Sequence, residues 1–284
     1  MKVSYYPGCS LEGSARDYRE SVEGVCKRRG IELVELEDWN CCGATAAHSL
    51  KHRASIELPG RNLVLAENAG NDLVAPCPMC FNRLKAAEKG LLKAPTGQYR
   101  YNIEGKIKIW DLADFMARQD VLELIQPNVT NPLKGIKAVC YYGCMTSRPP
   151  KITDAENCEN PMSMDLILER LGAEAIGWLY KTDCCGASHV IDRPDMVFKM
   201  VGRLYQRALE VGANCIVVSC QMCQANLDIY QDRIGQQLGR QFYLPIIYFT
   251  ELVGLAMKER QAATWLSRHF VDPLKFLGDQ GLLG

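Results

Sequence analysis

No run of 18 or more apolar residues occurs in the 284-residue chain, so the signature of a membrane-spanning helix is missing. Excess charge is missing too. The 33 Lys plus Arg balance 33 Asp plus Glu, leaving no net field to draw in nucleic acid or an anionic membrane. The opening Met1-Lys2-Val3-Ser4-Tyr5-Tyr6 lacks the charged, then long apolar, then small-residue order of a secretory leader, and the expectation is a cytoplasmic protein with no nucleic-acid partner and no membrane span. No Gly-x-Gly-x-x-Gly follows a strand, which removes the usual nicotinamide or flavin site, and no Cys-x-x-Cys-x-x-Cys-x-x-x-Cys-Pro run of the bacterial ferredoxin type is present. With 48% hydrophobic and 23% charged residues the chain can build a core, and disorder is excluded.

What is abundant is cysteine, at 14 residues. A chain this long needs no disulfide staples, and in a reducing compartment so many thiols point to metal or redox chemistry. Cys41, Cys42, Cys77 and Cys80 recur as Cys184, Cys185, Cys220 and Cys223 at a constant offset of 143. Asn40-Cys41-Cys42-Gly43-Ala44 matches Asp183-Cys184-Cys185-Gly186-Ala187, and Cys77-Pro78-Met79-Cys80 matches Cys220-Gln221-Met222-Cys223. Upstream, Tyr5-Tyr6-Pro7-Gly8-Cys9 resembles Tyr141-Tyr142-Gly143-Cys144 at an offset of 135, which implies an eight-residue insertion in the second copy, within 149–161. The chain is an internal duplication, and each copy reads Cys, then Cys-Cys-Gly, then Cys-x-x-Cys.

Periodicity supports two similar units. Strands are expected at 3–6, 31–36, 72–75 and 107–110, and again at 136–142, 175–179, 215–219 and 244–248. Helices are expected at 14–29 (stopped by Gly30), 61–69 and 77–92, and again at 162–171, 194–211 and from 221, with further helices from Asp111 and near Thr250. Strands alternating with helices give an α/β class: two tandem homologous domains, each a small, mainly parallel sheet flanked by helices, related by a pseudo-two-fold. The expected limits are 1–126, a linker at 127–134, 135–260 and a C-terminal tail at 261–284. The ligand candidates fall just past strand ends or at helix starts, where open α/β sheets bind their ligands.

A Cys-x-x-Cys at a helix start turns two thiolates towards one site, with the helix dipole stabilising their charge. Adjacent cysteines such as Cys41-Cys42 reach different atoms of a larger inorganic body more readily than one small ion, and Gly43 removes bulk where the chain turns. Five thiols per half exceed the four of a tetrahedral zinc site. An iron–sulfur cluster is the natural occupant, with structural zinc or a thiol–disulfide pair as alternatives.

At these residues, from Tyr5 to about Ala256, the sequence resembles the CCG-domain (cysteine-rich domain) family, and within it is most similar to the B-type chains of heterodisulfide reductase. The resemblance implies two non-cubane [4Fe–4S] clusters. One would be held by Cys9, Cys41, Cys42, Cys77 and Cys80, the other by Cys144, Cys184, Cys185, Cys220 and Cys223. It further implies the catalytic iron–sulfur subunit of a heterodisulfide-reductase-like complex, which reduces or forms a disulfide or related sulfur substrate between the clusters. The implied partners are a ferredoxin-like iron–sulfur protein and a flavin-containing protein of the same complex. A second reading within the family is an electron-transfer subunit of a flavin-linked succinate, lactate or glycolate dehydrogenase complex; a third class is a zinc-stabilised interaction protein.

Other residues are weighed on chemistry alone. His48 and His189 follow the two Cys-Cys-Gly motifs and are the candidate proton donors to a departing thiolate, against an ordinary surface or structural role. Cys26 and Cys215 read as buried small hydrophobes, Cys140 as a rival ligand without a first-copy counterpart, and Cys158 as a free surface thiol. Arg83, Lys85, Lys89 and Lys93 at helical spacing suggest either an anion-facing surface or a solvated helix face. Tyr5, Tyr6, Tyr141 and Tyr142 suit cluster shielding or core packing equally.

Overall fold

The computed structural model describes residues 1–44 and 46–283. Its first sheet contains β1 (Lys2–Tyr5), β2 (Glu32–Glu35), β3 (Leu73–Ala75) and β4 (Ile109–Asp111) in the order β2-β1-β3-β4, every pair parallel. The second contains β5 (Lys137–Tyr141), β6 (Glu174–Ala175), β7 (Cys215–Val218) and β8 (Ile246–Tyr248) in the order β6-β5-β7-β8, again all parallel. The same topology is thus built twice, as the duplication requires. Parallel strands are covered by crossover helices on both faces, which is why β7, Cys-Ile-Val-Val, is apolar and buried at every position.

Two expected elements differ. The helix expected at 61–69 runs from His52 to Ala69 with Pro59 inside it. Pro59 and Gly60 look like breakers in isolation, but Gly60 lies so close to the Pro78–Lys93 helix that a Cβ there would stand 2.9 Å from Leu91, and a Cβ on Gly90 would stand 3.0 Å from Ile56. Close packing of two helices through small residues outweighs the local penalty. The strand expected at 175–179 ends at Ala175. Ile176 still donates to the Ala138 carbonyl, after which Trp178 turns into the core and bonds the Cys140 carbonyl at 2.8 Å while Leu179 swings out, 92% exposed.

The halves are tightly joined. Tyr18 and Tyr248 stack with centroids 4.2 Å apart and planes 5° from parallel, and Ser21 Oγ lies 2.7 Å from Thr250 Oγ1. Lys85 and Lys89, expected on an anion-facing or solvated surface, instead pair with Asp154 of the second copy's insertion, Lys85 at 3.0 Å. Asn82 Nδ2 donates to the Met145 and Arg148 carbonyls at 3.0 and 2.9 Å. The C-terminal segment packs across both halves: Trp265, buried, fits against Gly24 of the first and Gly254 of the second, where a Cβ would stand 3.0 and 2.7 Å from its ring. Among the described residues no helix is long and apolar enough to cross a membrane.

Candidate metal centre

Each cysteine of the repeated pattern sits at the C-terminal edge of a sheet. Cys9 lies in the short Gly8–Glu12 helix after β1, Cys41 and Cys42 in the loop after β2, and Cys77 caps the Pro78–Lys93 helix after β3, with Cys80 in its first turn. Because β1 lies between β2 and β3, the chain leaves in opposite directions at this point, and the crevice that results is where doubly wound sheets bind ligands. The second copy repeats the arrangement with Cys144 after β5, Cys184 and Cys185 after β6, and Cys220 capping the Gln221–Asp228 helix.

The thiols converge. Cys41 lies 3.8 Å from Cys9 and Cys42 3.5 Å from Cys80; in the second copy Cys185 and Cys223 lie 3.6 Å apart. None is in a disulfide. Local chemistry favours sulfur anions at several positions. The Gly43 and Gly186 amides donate to Cys41 and Cys184 at 3.5 and 3.3 Å, although at Cys41 burial outweighs the amide and the thiol is raised. A bond from Cys80, opposed by burial and reinforced by Gln221, brings the Cys77 thiol down to about 7, and a bond from Cys144 brings Cys184 down to about 6. Cys42 and Cys185 are lowered by bonds from Cys80 and Cys223, while Cys80 and Cys223, the donors, are raised well above the usual thiol range.

Two devices fix each loop. Tyr6 OH donates to the Asn40 carbonyl at 2.9 Å and Tyr141 OH to the Asp183 carbonyl at 2.5 Å, anchoring each Cys-Cys-Gly segment from the end of a strand. All four tyrosines of the paired motifs are buried. Gly8 and Gly143 adopt φ of +72° and +70°, and a Cβ on them would approach Cys80 Sγ to 2.8 Å and Cys223 Sγ to 3.0 Å. Glycine is required there both by backbone conformation and by the sulfur beside it.

The two sets also meet. Gln221, which follows Cys220, donates from Nε2 to Cys77 Sγ of the other set at 2.9 Å, and the buried Tyr18 lies within electrostatic reach of both Cys77 and Cys220. Cys9, Cys41 and Cys184 are exposed and Cys144 is half-buried, whereas the remaining six are buried. Soft sulfur donors only, five to a half, with glycine cradles against the sulfurs and amides aimed at them, fit an iron–sulfur cluster better than a single ion.

The other candidates separate. His189 stands on the short turn Ala187–His189 close enough to Cys184 to favour its thiolate, with Nδ1 3.6 Å from Asp192. His48 is exposed on the Ala46–Leu50 helix. Cys26 and Cys215 are fully buried, their thiols pushed up to about 12 by burial. Cys140 is buried in β5, its thiol raised by burial and by Asp165, and Cys158 is free and half-buried, its Sγ 3.7 Å from Glu159 Oε1. Sequence reasoning missed Gln221, whose only signal was that it stands where the first copy has Pro78. It also missed His269, in the tail, whose Nε2 lies 3.0 Å from Glu251 and 3.7 Å from Asp17.

Two parallel α/β units, each gathering five thiols at the C-terminal edge of its sheet, define a duplicated cysteine-rich α/β protein. The CCG cysteine-rich domain matches residues 3–85 and 138–228, and the chain belongs to that family. It is 30% identical to the 8-methylmenaquinol:fumarate reductase membrane anchor subunit of Wolinella succinogenes, over 96% of this chain and 98% of that one. It is 24% identical to the B-type chain of the ferredoxin:CoB-CoM heterodisulfide reductase of Methanosarcina mazei, over 97% and 96% of the two chains. A protein of Archaeoglobus profundus that is itself like the heterodisulfide reductase B-type chain is 26% identical, over 90% and 91%. Among solved structures, a hypothetical protein from Helicobacter pylori shares the fold with a TM-score of 0.67 at 11% identity; the match covers 95% of this chain and about half, 52%, of that one.

Proposed function

We propose that this chain is an iron–sulfur subunit of a multi-subunit oxidoreductase. In this reading Cys9, Cys41, Cys42, Cys77 and Cys80 hold one non-cubane [4Fe–4S] cluster, and Cys144, Cys184, Cys185, Cys220 and Cys223 hold the other. Its chemistry is the reduction or formation of a disulfide, or a related sulfur bond, at the junction of the two sets. When bound, such clusters supply one-electron steps, and a disulfide takes two electrons and two protons, so a pair of sites at one junction meets the count. The observation that carries the reading is the bond from Gln221 to Cys77, which links the second set's loop to a ligand of the first.

This chain's own groups do the rest. The exposed Cys9, Cys41 and Cys184 leave the sets open to a small sulfur compound, where a pure relay would bury its ligands. Asp192 faces Nδ1 of His189, leaving Nε2 to carry a proton to a departing thiolate. With no dinucleotide fingerprint and no ferredoxin run in the sequence, electrons come from partner proteins, one ferredoxin-like and one flavin-bearing.

The test is anaerobic protein with a reduced viologen dye and a panel of organic disulfides. Dye oxidation that depends on a disulfide, with a paramagnetic signal appearing on oxidation only when thiol is present, supports the reading; neither appearing with any disulfide or thiol overturns it. The full-length 30% identity to a fumarate reductase subunit favours one second reading, the electron-transfer subunit of a flavin-linked dehydrogenase complex of succinate, lactate or glycolate type. A menaquinol analogue that reduces the centres, without any effect of thiols, selects it.

A further inference from the structure

The duplication allows each residue around one site to be compared with its equivalent around the other, and three differences share one electrical sign. At the position three residues past the last cysteine of the pattern, the first copy has Arg83 and the second has Asn226. The half-buried Arg83 guanidinium lies within electrostatic reach of Cys42, and its Nε has no partner among the described residues. Asn226 offers Cys185 a neutral amide, bonded to its carbonyl at 2.8 Å and also aiding its thiolate by hydrogen bonding, but brings no charge. Immediately before the Cys-Cys-Gly motif, the first copy has neutral Asn40 and the second has Asp183, which puts a carboxylate next to Cys184 in the chain.

The third difference follows from the junction. Gln221 donates an N–H to Cys77 of the first set, and its first-copy equivalent is Pro78, which has no side-chain donor to return to Cys220. Two further charges beside these loops are paired, Lys181 with Asp165 at 2.8 Å, both buried, and Arg61 with Asp38. His189, near Cys184, opposes the trend, and it is exposed beside Asp192.

Positive charge and hydrogen bonds at the ligand sulfurs stabilise the more negative, reduced state of a cluster and raise its potential; a nearby carboxylate lowers it. We infer that the two sites are electrically unequal, with Arg83, Asn40 and Gln221 making the first the better electron acceptor and Asp183 making the second the poorer one. An electron shared between the two sites therefore collects at the first. One electron is lost at the second site for each gained at the first, and no bond or proton changes place in that step. This rests on the two clusters of the proposed function but not on its substrate. Arg83 and Asp183 act as positioning residues for charge.

The experiment is a redox titration of the anaerobically purified, cluster-loaded protein, followed by electron paramagnetic resonance and visible absorption. The variants Arg83→Asn, Asp183→Asn and Gln221→Leu each carry only a local change, and the first two install what the other copy already tolerates. Two separated waves are expected. Asp183→Asn moves the lower wave up, Arg83→Asn and Gln221→Leu move the upper wave down, and Arg83→Asn with Asp183→Asn together narrow the gap most. Two loaded sites with one common potential, or an Arg83→Asn shift confined to the lower wave, overturns the inference and leaves the proposed function standing. A chain that binds no cluster overturns both. If Arg83→Asn fails to fold, Asp183→Asn on its loop decides the sign alone.

Discussion

Gln221 Nε2 donates to Cys77 Sγ at 2.9 Å, although the two residues lie 144 apart in the chain and belong to opposite copies of the repeat. The other amide atom, Gln221 Oε1, is buried without a partner among the described residues. A leucine at 221 removes the donor to Cys77 while relieving the unpartnered oxygen, so the net cost to folding is expected to be small, about 1 kcal/mol or less. In cluster-free protein, the Cys77 thiol loses one of the bonds that hold it down near 7. Its alkylation at neutral pH is expected to slow, read by mass spectrometry of the Cys77 peptide, and an unchanged rate would mean that the bond does not form in solution.

Alanine at Gly8 places a methyl group 2.8 Å from Cys80 Sγ and forces a left-handed φ of +72° on a residue that resists it, at about 1–2 kcal/mol. The expectation for Gly8→Ala is a folded chain that loses about half of its iron, because only the first site is disturbed. Gly143→Ala, with 3.0 Å to Cys223, does the same to the second site. Iron per chain by mass spectrometry, beside far-ultraviolet circular dichroism, separates this outcome from unfolding.

Cysteine replacements divide the same way. Cys80→Ser and Cys223→Ser are each expected to remove iron from one site, and together from both, whereas Cys26→Ala and Cys215→Ala leave iron content unchanged because those thiols are buried and protonated away from the sets. Iron loss from Cys26→Ala in a folded chain would contradict this division.

His269 ties the C-terminal segment to both halves, with Glu251 at 3.0 Å and Asp17 at 3.7 Å. Burial works against its imidazolium, yet the carboxylates of Glu251, Asp228 and Asp17 prevail and raise its pKa to about 9 from an ordinary 6.5. A folded pKa above the unfolded one means stabilisation that is complete below about pH 6.5 and is lost as pH rises through about 9, on the order of 3 kcal/mol. Denaturant unfolding across that range is expected to show the decline, and His269→Gln to flatten it. An equally steep decline in the variant would assign the pH dependence elsewhere.

His189 and His48 are distinguishable by rate. Both histidines are exposed, but His189 lies within electrostatic reach of Cys184, so His189→Gln is expected to slow disulfide turnover and shift its pH profile with iron retained, while His48→Gln leaves both alone. Equal effects from the two variants would remove the proton role from His189.

Much of this molecule is legible because duplication repeats its own signal. The constant offset of 143 singles out Cys41, Cys42, Cys77 and Cys80 as candidate ligands without any structure, and strand–helix alternation is enough for two parallel sheets. What stays hidden depends on contacts between copies or between distant segments. Pro59 and Gly60 read as a break until the close approach of Leu91 and Ile56 is known. Lys85 and Lys89 read as a charged face until Asp154 of the insertion is seen to meet them. His269 carries no motif, and only the folding of the tail over Asp17 and Glu251 gives it a role. Arg83 and Asp183 become informative only when each is compared with its counterpart in the other copy.

The central claim, that ten cysteines hold two iron–sulfur clusters, is tested most directly by measuring iron, acid-labile sulfide and zinc on anaerobically purified protein, together with its electron paramagnetic resonance spectrum. About eight irons with a matching quantity of sulfide is the predicted result, falling to about four when either set loses a ligand. Zinc without sulfide would contradict the account and leave a structural thiolate protein.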